Sequence, residues 1–205
     1  MKTAEINLIS SFLALAILLL LTPIWFFLYI FVKATSRGPF IYKQRRLGKD
    51  KKPFTLYKIR TMVDEADNIK KNYVHLNEAD GPVFKIRHDP RYTKVGKFLS
   101  HTGLDELPQL FNVVRGEMYF VGPRPLPVEE ALKVPSKYRA RFSVLPGITS
   151  SWILNGAHRL NFEDWMNLDL EYIKKKNLGV DIYIGLKTLL LLILLIFTTN
   201  NTKQK

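Results

Sequence analysis

The stretch from Ile6 to Val32 carries no charged side chain and is interrupted once by a proline, Pro23. As a straight helix it would reach roughly 40 Å, against about 30 Å of bilayer hydrocarbon, so it is long enough to span. Pro23 has no amide hydrogen, which costs the carbonyl of Leu19 its helical partner and invites a bend; the Thr22 hydroxyl can satisfy part of that deficit. Divided there, the arms of about 16 and 9 residues are each too short to cross. Basic residues crowd the far side (Lys33, Arg37, Lys43, Arg45, Arg46, Lys49, Lys51, Lys52), whereas Lys2 stands nearly alone before it. That asymmetry places the following chain on the cytoplasmic face. A kinked spanning helix and a re-entrant hairpin both obey it. A cleaved signal peptide fits poorly, because the apolar region is too long, although Val32-Lys33-Ala34 offers a weak small-residue site.

The stretch with the most chemistry runs from Gly103 to Pro125. Pro108 belongs in the first turn of any helix here, near N3, with Asp105 at or just before the N-cap. Leu107, Leu110, Phe111 and Val114 follow at helical spacing, and Arg115-Gly116 closes the helix with a basic turn and a C′ glycine. Asp105 and Glu106 thus sit at the mouth of a short buried helix. Capping and favourable interaction with the helix dipole account for acids there without any chemistry. Arg124 lies between two prolines that stiffen its backbone, and a guanidinium held beside two carboxylates suits a phosphate and a divalent cation.

The excess of 31 Lys+Arg over 18 Asp+Glu, a net charge of +13, favours polyanions: lipid headgroups, nucleic acid or phosphorylated substrates. No nucleic-acid motif supports the second. Cysteine is absent, which removes thiolate nucleophiles, disulfides and Cys-based zinc sites. The histidines His75, His88, His101 and His158 lack an i,i+4 acidic partner, so a histidine-based metal site is not expected.

The run G-L-D-E-L-P-Q-L-F-N-V-V-R-G-E-M-Y-F-V-G-P-R-P resembles the signature of the bacterial monotopic phosphoglycosyl transferases, small members of the bacterial sugar transferase family. Its common form there reads S/G-L-D-E-L-P-Q-L-x-N-V-L-x-G-D-M-S-x-V-G-P-R-P. Tyr57-Lys58-Ile59-Arg60-Thr61-Met62 resembles the family's K-F-R-T/S-M segment, Pro146-Gly147-Ile148-Thr149 through Asn155-Gly156 its P-G-I/L-T-G-x-W/A-Q-V-N/S-G segment, and Leu168-Asp169-Leu170-Glu171-Tyr172 its L-D-x-x-Y.

The resemblance implies a re-entrant membrane helix broken at Thr22-Pro23, at the cytoplasmic face of the bacterial inner membrane among its lipids. It implies Asp105 as covalent nucleophile with Glu106 beside it, both on Mg²⁺. A UDP-sugar and a polyprenol phosphate, such as undecaprenyl phosphate, would be the substrates. Arg124, Lys58, Arg60, Asn155 and Asp169 would contact substrate; lipid headgroups are an alternative for Lys58 and Arg60, and an ordinary salt bridge for Asp169. Ser100 stands where relatives carry Arg, and Leu145, Ser150, Ile153 and Ala157 also depart from the pattern. A noncatalytic glycan-assembly protein of the same family is the competing reading; a homo-oligomer and downstream glycosyltransferases stay open as partners.

The expected fold is α+β and mostly helical: an anchor over 1–36, a compact catalytic domain over 37–183 and an apolar interfacial helix with a polar tail over 184–205. Phe40–Tyr42 and Phe54–Arg60 read as a β-hairpin around Gly48-Lys49-Asp50. Val63 to Tyr92 reads as a polar helix and loops. Glu129 to Phe142 has the composition of a surface helix whose Lys137, Arg139 and Arg141 face headgroups. The closing run Leu189 to Phe197 is too short to span.

Overall fold

The computed structural model describes residues 3–156 and 160–198; Lys2, Ala157 and His158 lie outside them. Helix α1, Thr3–Leu20, meets α2, Thr22–Thr35, at a bend of 62°. The bend has the cause the sequence suggests: the Thr22 hydroxyl donates to the Leu19 carbonyl at 2.6 Å, taking up the acceptor that Pro23 leaves open.

Strands β1, Ile41–Leu47, and β2, Pro53–Ile59, form the expected hairpin, longer than its apolar cores suggest, and its turn takes Asp50 and Lys51 into positive φ. The polar segment that follows is a short helix α3, Ala66–Ile69, a 3-10 run over Lys70–Leu76 and then loops. Helix α4, Lys94–Thr102, starts at Thr93, whose side chain accepts from the Gly96 amide. It ends at Gly103, which takes the left-handed conformation with φ 70°.

That early stop changes the next helix. The chain passes through a 3-10 turn at Leu104–Glu106, and α5, Gln109–Val114, begins only after Pro108, which caps it instead of lying near N3. Asp105 is therefore in the preceding turn and caps nothing. The buried stripe also differs from the apolar one: Phe111 is 57% exposed while Asn112 is fully buried. Burying Asn112 costs little because it brackets β2, accepting from the Tyr57 amide and donating to the Thr55 carbonyl and to Glu117.

Strand β3, Tyr119–Val121, pairs in parallel with β5, Gly147–Thr149. The intervening β4, Leu126–Pro127, adds to the free edge of β1. The expected single helix over Glu129–Phe142 is instead α6, Val128–Leu132, and a 3-10 run from Ser136, because Pro135 stops the first. As a result Arg141 turns inward and is 3% exposed, not on a lipid-facing side.

Helix α7, Ser151–Leu154, and α8, Phe162–Lys175, pack on each other, and α8 also packs on the 3-10 run from Ser136, with Trp152, Trp165, Met166 and Leu126 in the main core. Helix α9, Leu178–Thr198, starts well before the apolar run because Asn177 caps it and the hydroxyl of Tyr172 pairs with Asp181 at 2.7 Å. By length and composition it is apolar enough to cross a membrane, which corrects the reading of this end as too short. It nevertheless packs on the body: Ile184 is buried against Val121 and Tyr172, and Thr188 shares a buried hydroxyl contact of 2.7 Å with Thr149.

Both arms of the bent pair touch the central segment. Ala14 of α1 is buried with Leu110, Val113 and Met118, and Ser11 donates to the Val113 carbonyl. Leu28 and Val32 of α2 pack with Ile59 and Leu99, beside Leu104 and Leu107. The mostly helical α+β architecture with small sheets is as expected.

Candidate active site

Three pieces of backbone converge. β2 presents Lys58, the 3-10 turn presents Asp105 and Glu106, and the loop after β3 presents Arg124. The Lys58 ammonium donates to Asp105 at 3.2 Å and to Glu106 at 2.8 Å, and Arg124 donates to the same Glu106 oxygen at 3.0 Å. The loop that holds Arg124 is pinned at three successive carbonyls: Pro123 accepts from the Gly147 amide, Arg124 from the Arg141 guanidinium, and Pro125 from the Arg46 guanidinium. Arg141 is in turn fixed by Asp169 through two bonds of 3.1 and 2.9 Å, with both side chains 2% exposed. A guanidinium on so restrained a loop loses little freedom when it meets an anion.

The two acids are driven apart electrostatically. Burial raises Asp105 above the ordinary carboxylate range; Lys58 pulls it back, but repulsion from Glu106 adds to the rise. Burial would raise Glu106 as well, yet Arg124 and Lys58 outweigh it and hold it at about 2. Glu106 thus stays charged and keeps its cations in place, while Asp105 is the more basic carboxylate. Arg124 is held fully charged, since Glu106 more than offsets its burial.

The remaining residues singled out in the sequence lie elsewhere. Arg60, two positions along β2 from Lys58, sits where the strand meets the end of α2 and donates to the Ser36 carbonyl and hydroxyl, each at 2.9 Å. There it braces the end of the anchor. Asp169 is 1% exposed behind the site and connects to it through Arg141, which bonds the Arg124 carbonyl. Asn155 ends α7, exposed, and donates to the Ser151 carbonyl. Thr22 and Pro23 form the bend. Ser100 shares a hydroxyl contact of 3.0 Å with Tyr92.

Sequence reasoning missed Arg46 and Arg141. Arg46 and Arg141 look like members of basic surface runs, and the signal that could have set Arg46 apart is its alternation along β1. Burial and the nearby Arg124 push Arg46 down to about 10.

For a metal, the chemistry of the donor set is two carboxylates, and no group of three or more His, Cys, Asp or Glu exists among the described residues. Two such oxygens suit Mg²⁺, which keeps waters and shares its coordination with substrate phosphates instead of needing a full protein cage.

Comparison with known proteins gives this arrangement a family. The family model described as bacterial sugar transferase matches residues 2–194. Among curated relatives, the galactosyl transferase CpsE of Streptococcus agalactiae is 41% identical over 77% of this chain and 35% of its own length. The undecaprenyl-phosphate galactose phosphotransferase of Salmonella typhimurium is 35% identical over 85% of this chain and 37% of its own length. The exopolysaccharide production protein ExoY of Rhizobium meliloti is 33% identical over 84% of this chain and 78% of its own length. The chain thus spans little more than a third of the first two relatives and most of the third. With its signature residues assembled into one buried acid–cation cluster, the chain belongs to the bacterial sugar transferase family.

Proposed function

We propose that the protein transfers a sugar 1-phosphate from a nucleotide diphosphate sugar, a UDP-sugar, to a polyprenol phosphate such as undecaprenyl phosphate, at the cytoplasmic face of the bacterial inner membrane. The observation that carries this reading is the cluster itself: a buried Asp105 raised above the ordinary carboxylate range beside a Glu106 held charged, with Lys58 and Arg124 on the pair. The names of the relatives, which include a UDP-glucose:undecaprenyl-phosphate glucose-1-phosphate transferase, support the substrate classes.

In this mechanism an Asp105 oxygen attacks the phosphorus nearest the sugar. The bond from that phosphorus to the bridging oxygen breaks, and the nucleoside monophosphate leaves with that oxygen. An oxygen of the lipid phosphate then attacks the same phosphorus, the acyl-phosphate bond breaks, and the Asp105 carboxylate is restored as the polyprenol diphosphate sugar departs. Arg124 stabilises charge on the transferring phosphoryl oxygens, and Lys58 screens Asp105 from Glu106 and from the anionic donor. Asp105 and Glu106 would hold Mg²⁺, which when bound offsets repulsion between the carboxylates and the diphosphate.

The bent pair acts as a re-entrant anchor that enters and leaves one leaflet. Because both arms grip the segment carrying Asp105, the site is level with the phosphate of a lipid whose tail stays in hydrocarbon, and meeting it costs less entropy. Incubation with radiolabelled UDP-sugars, Mg²⁺ and polyprenol phosphate tests the reaction. Label should pass to lipid and should vanish in Asp105→Asn. No lipid labelling with any sugar nucleotide would overturn it in favour of the noncatalytic assembly reading.

A further inference from the structure

Helix α9 touches the body along one narrow stripe. Asp181, Ile184, Thr188 and Leu192 recur at helical spacing, so they share one face over roughly 16 Å of helix. Ile184 and Thr188 are buried on that face. Leu190, on the opposite side of the helix, is 57% exposed.

The stripe falls on both halves of the acid–cation cluster. At its start the Tyr172 hydroxyl lies 2.7 Å from an Asp181 carboxylate oxygen and 3.1 Å from the Val121 carbonyl, and Ile184 packs on the same Val121 and Tyr172. Val121 ends β3, directly before the loop that presents Arg124. Midway, the Thr188 hydroxyl meets the Thr149 hydroxyl of β5 at 2.7 Å, and the Thr149 carbonyl accepts from the Gly122 amide at 3.0 Å. At the far end Leu192 covers Gly103: a Cβ on that glycine would stand 3.1 Å from a Leu192 methyl. Gly103 is the pivot of the Asp105 turn, taking φ 70° where α4 stops and accepting from the Glu106 amide at 3.1 Å.

Apolar anchoring alone does not call for these contacts. A helix held only by hydrocarbon has no use for a buried hydroxyl pair and a carboxylate bonded to a tyrosine, each of which is costly unless its partner is kept in place. The polar contacts fix α9 in one register, and that register sets Leu192 over Gly103. Arg124 reaches Glu106 from one of the two segments held this way, and Asp105 and Glu106 stand on the other.

We propose that α9 is a splint across the site: Leu192 is a positioning residue for the turn that carries Asp105, and Thr188, with Asp181 acting through Tyr172, positions the strands from which the Arg124 loop springs. Its consequence for turnover rests on the transfer proposed above, in which Asp105 and Arg124 act on one phosphoryl group. The splint itself is a statement about which backbone each contact holds, and it is read without turnover.

The test reads hydrogen–deuterium exchange and phosphosugar transfer on the full-length protein in lipid vesicles. Leu192→Ala should speed exchange of the Glu106 and Leu107 amides, which close the Asp105 turn, roughly tenfold and leave the paired amides of β1 and β2 unchanged. In the same variant kcat should fall roughly tenfold while KM for the donor stays within about twofold, the mark of a displaced nucleophile and not of lost binding. Leu192→Met keeps the side-chain volume and should restore both. Thr188→Val should speed the Gly122 amide and, because α9 loses its register, the Glu106 amide as well; it also carries the test if Leu192→Ala does not fold. Leu190→Ala, on the exposed face, should change neither. Unchanged Glu106 exchange in Leu192→Ala, an equal effect in Leu190→Ala, or faster exchange spread evenly over the core would overturn the splint. Transfer by a protein whose exchange ignores these substitutions keeps the reaction and loses the splint; local exchange as expected in a protein that labels no lipid keeps the splint and loses the reaction.

Discussion

Asp105 and Glu106 are adjacent in the chain, and their different neighbours give them different work. A carboxyl raised in the folded state costs stability at pH values above its folded pKa, so Asp105→Asn should abolish lipid labelling without lowering the thermal midpoint. Glu106 behaves oppositely: its contribution is present above pH 4.5 and is lost as pH falls toward its folded value of about 2. In the proposed transfer Asp105 attacks in its ionised form, so transfer should decline with falling pH through a window above the ordinary Asp range. Lys58 holds that pKa down, hence Lys58→Met should move the acid limb of kcat/KM further up as well as slowing transfer. A limb that stays fixed or moves down in a pH–rate profile would contradict this. These residues were legible because Asp105, Glu106 and Arg124 lie in one unbroken run and Lys58 in another. Arg141 was not, since its pairing with Asp169 depends on an inward turn at Pro135 that charge patterning alone reads as a surface face.

At the scale of elements, the critical contact is the one between the Arg124 loop and β5. A Cβ on Gly147 would lie 2.0 Å from the Gly122 amide nitrogen and 2.5 Å from the Val121 carbonyl carbon, backbone against backbone. Gly147→Ala must therefore push the loop away, and we expect it to cost about 1–3 kcal/mol or more and to reduce transfer, read by thermal melts and lipid labelling. The Arg141–Asp169 pair permits a cleaner separation of stability from positioning. Arg141→Met strands a buried carboxylate and should cost about 3–5 kcal/mol; adding Asp169→Leu should recover most of that. Transfer should stay low in the double variant, because the Arg124 carbonyl has still lost its donor. Recovery of both together would make the pair purely structural. Pro23 foretold the bend and the turn at Gly48-Lys49-Asp50 the hairpin, both set by neighbours in sequence. Apolar spacing misplaced the α5 stripe and the start of α9, where Asn112 is made tolerable by Thr55 on β2 and Asp181 by the Tyr172 hydroxyl at the end of the preceding helix.

For the whole molecule, the question is how the body meets the bilayer. Ser11 and Ala14 on one arm and Leu28 and Val32 on the other are held against the same central segment, while Leu19 and Leu20 at the bend are 67% and 77% exposed. Were the pair a kinked span, one arm would have to leave the body to reach the opposite leaflet, giving up those contacts and drawing the Val113 carbonyl with its Ser11 donor toward hydrocarbon. With the apex buried and both arms gripping the body, no contact is lost. The packed face of α9 fits the same geometry: Ile184 and Thr188 are fixed to the body, and Leu192 approaches Gly103, so the exposed Leu186, Leu189, Leu190 and Ile193 can lie along the same leaflet. The chain has no cysteine, so single-cysteine variants report cleanly. Thr3→Cys and Arg37→Cys should both react with an impermeant maleimide in inverted inner-membrane vesicles, and neither should react in intact spheroplasts. Labelling of Thr3→Cys from the outer side alone would make the pair a spanning helix and detach the site from the lipid phosphate it is proposed to meet.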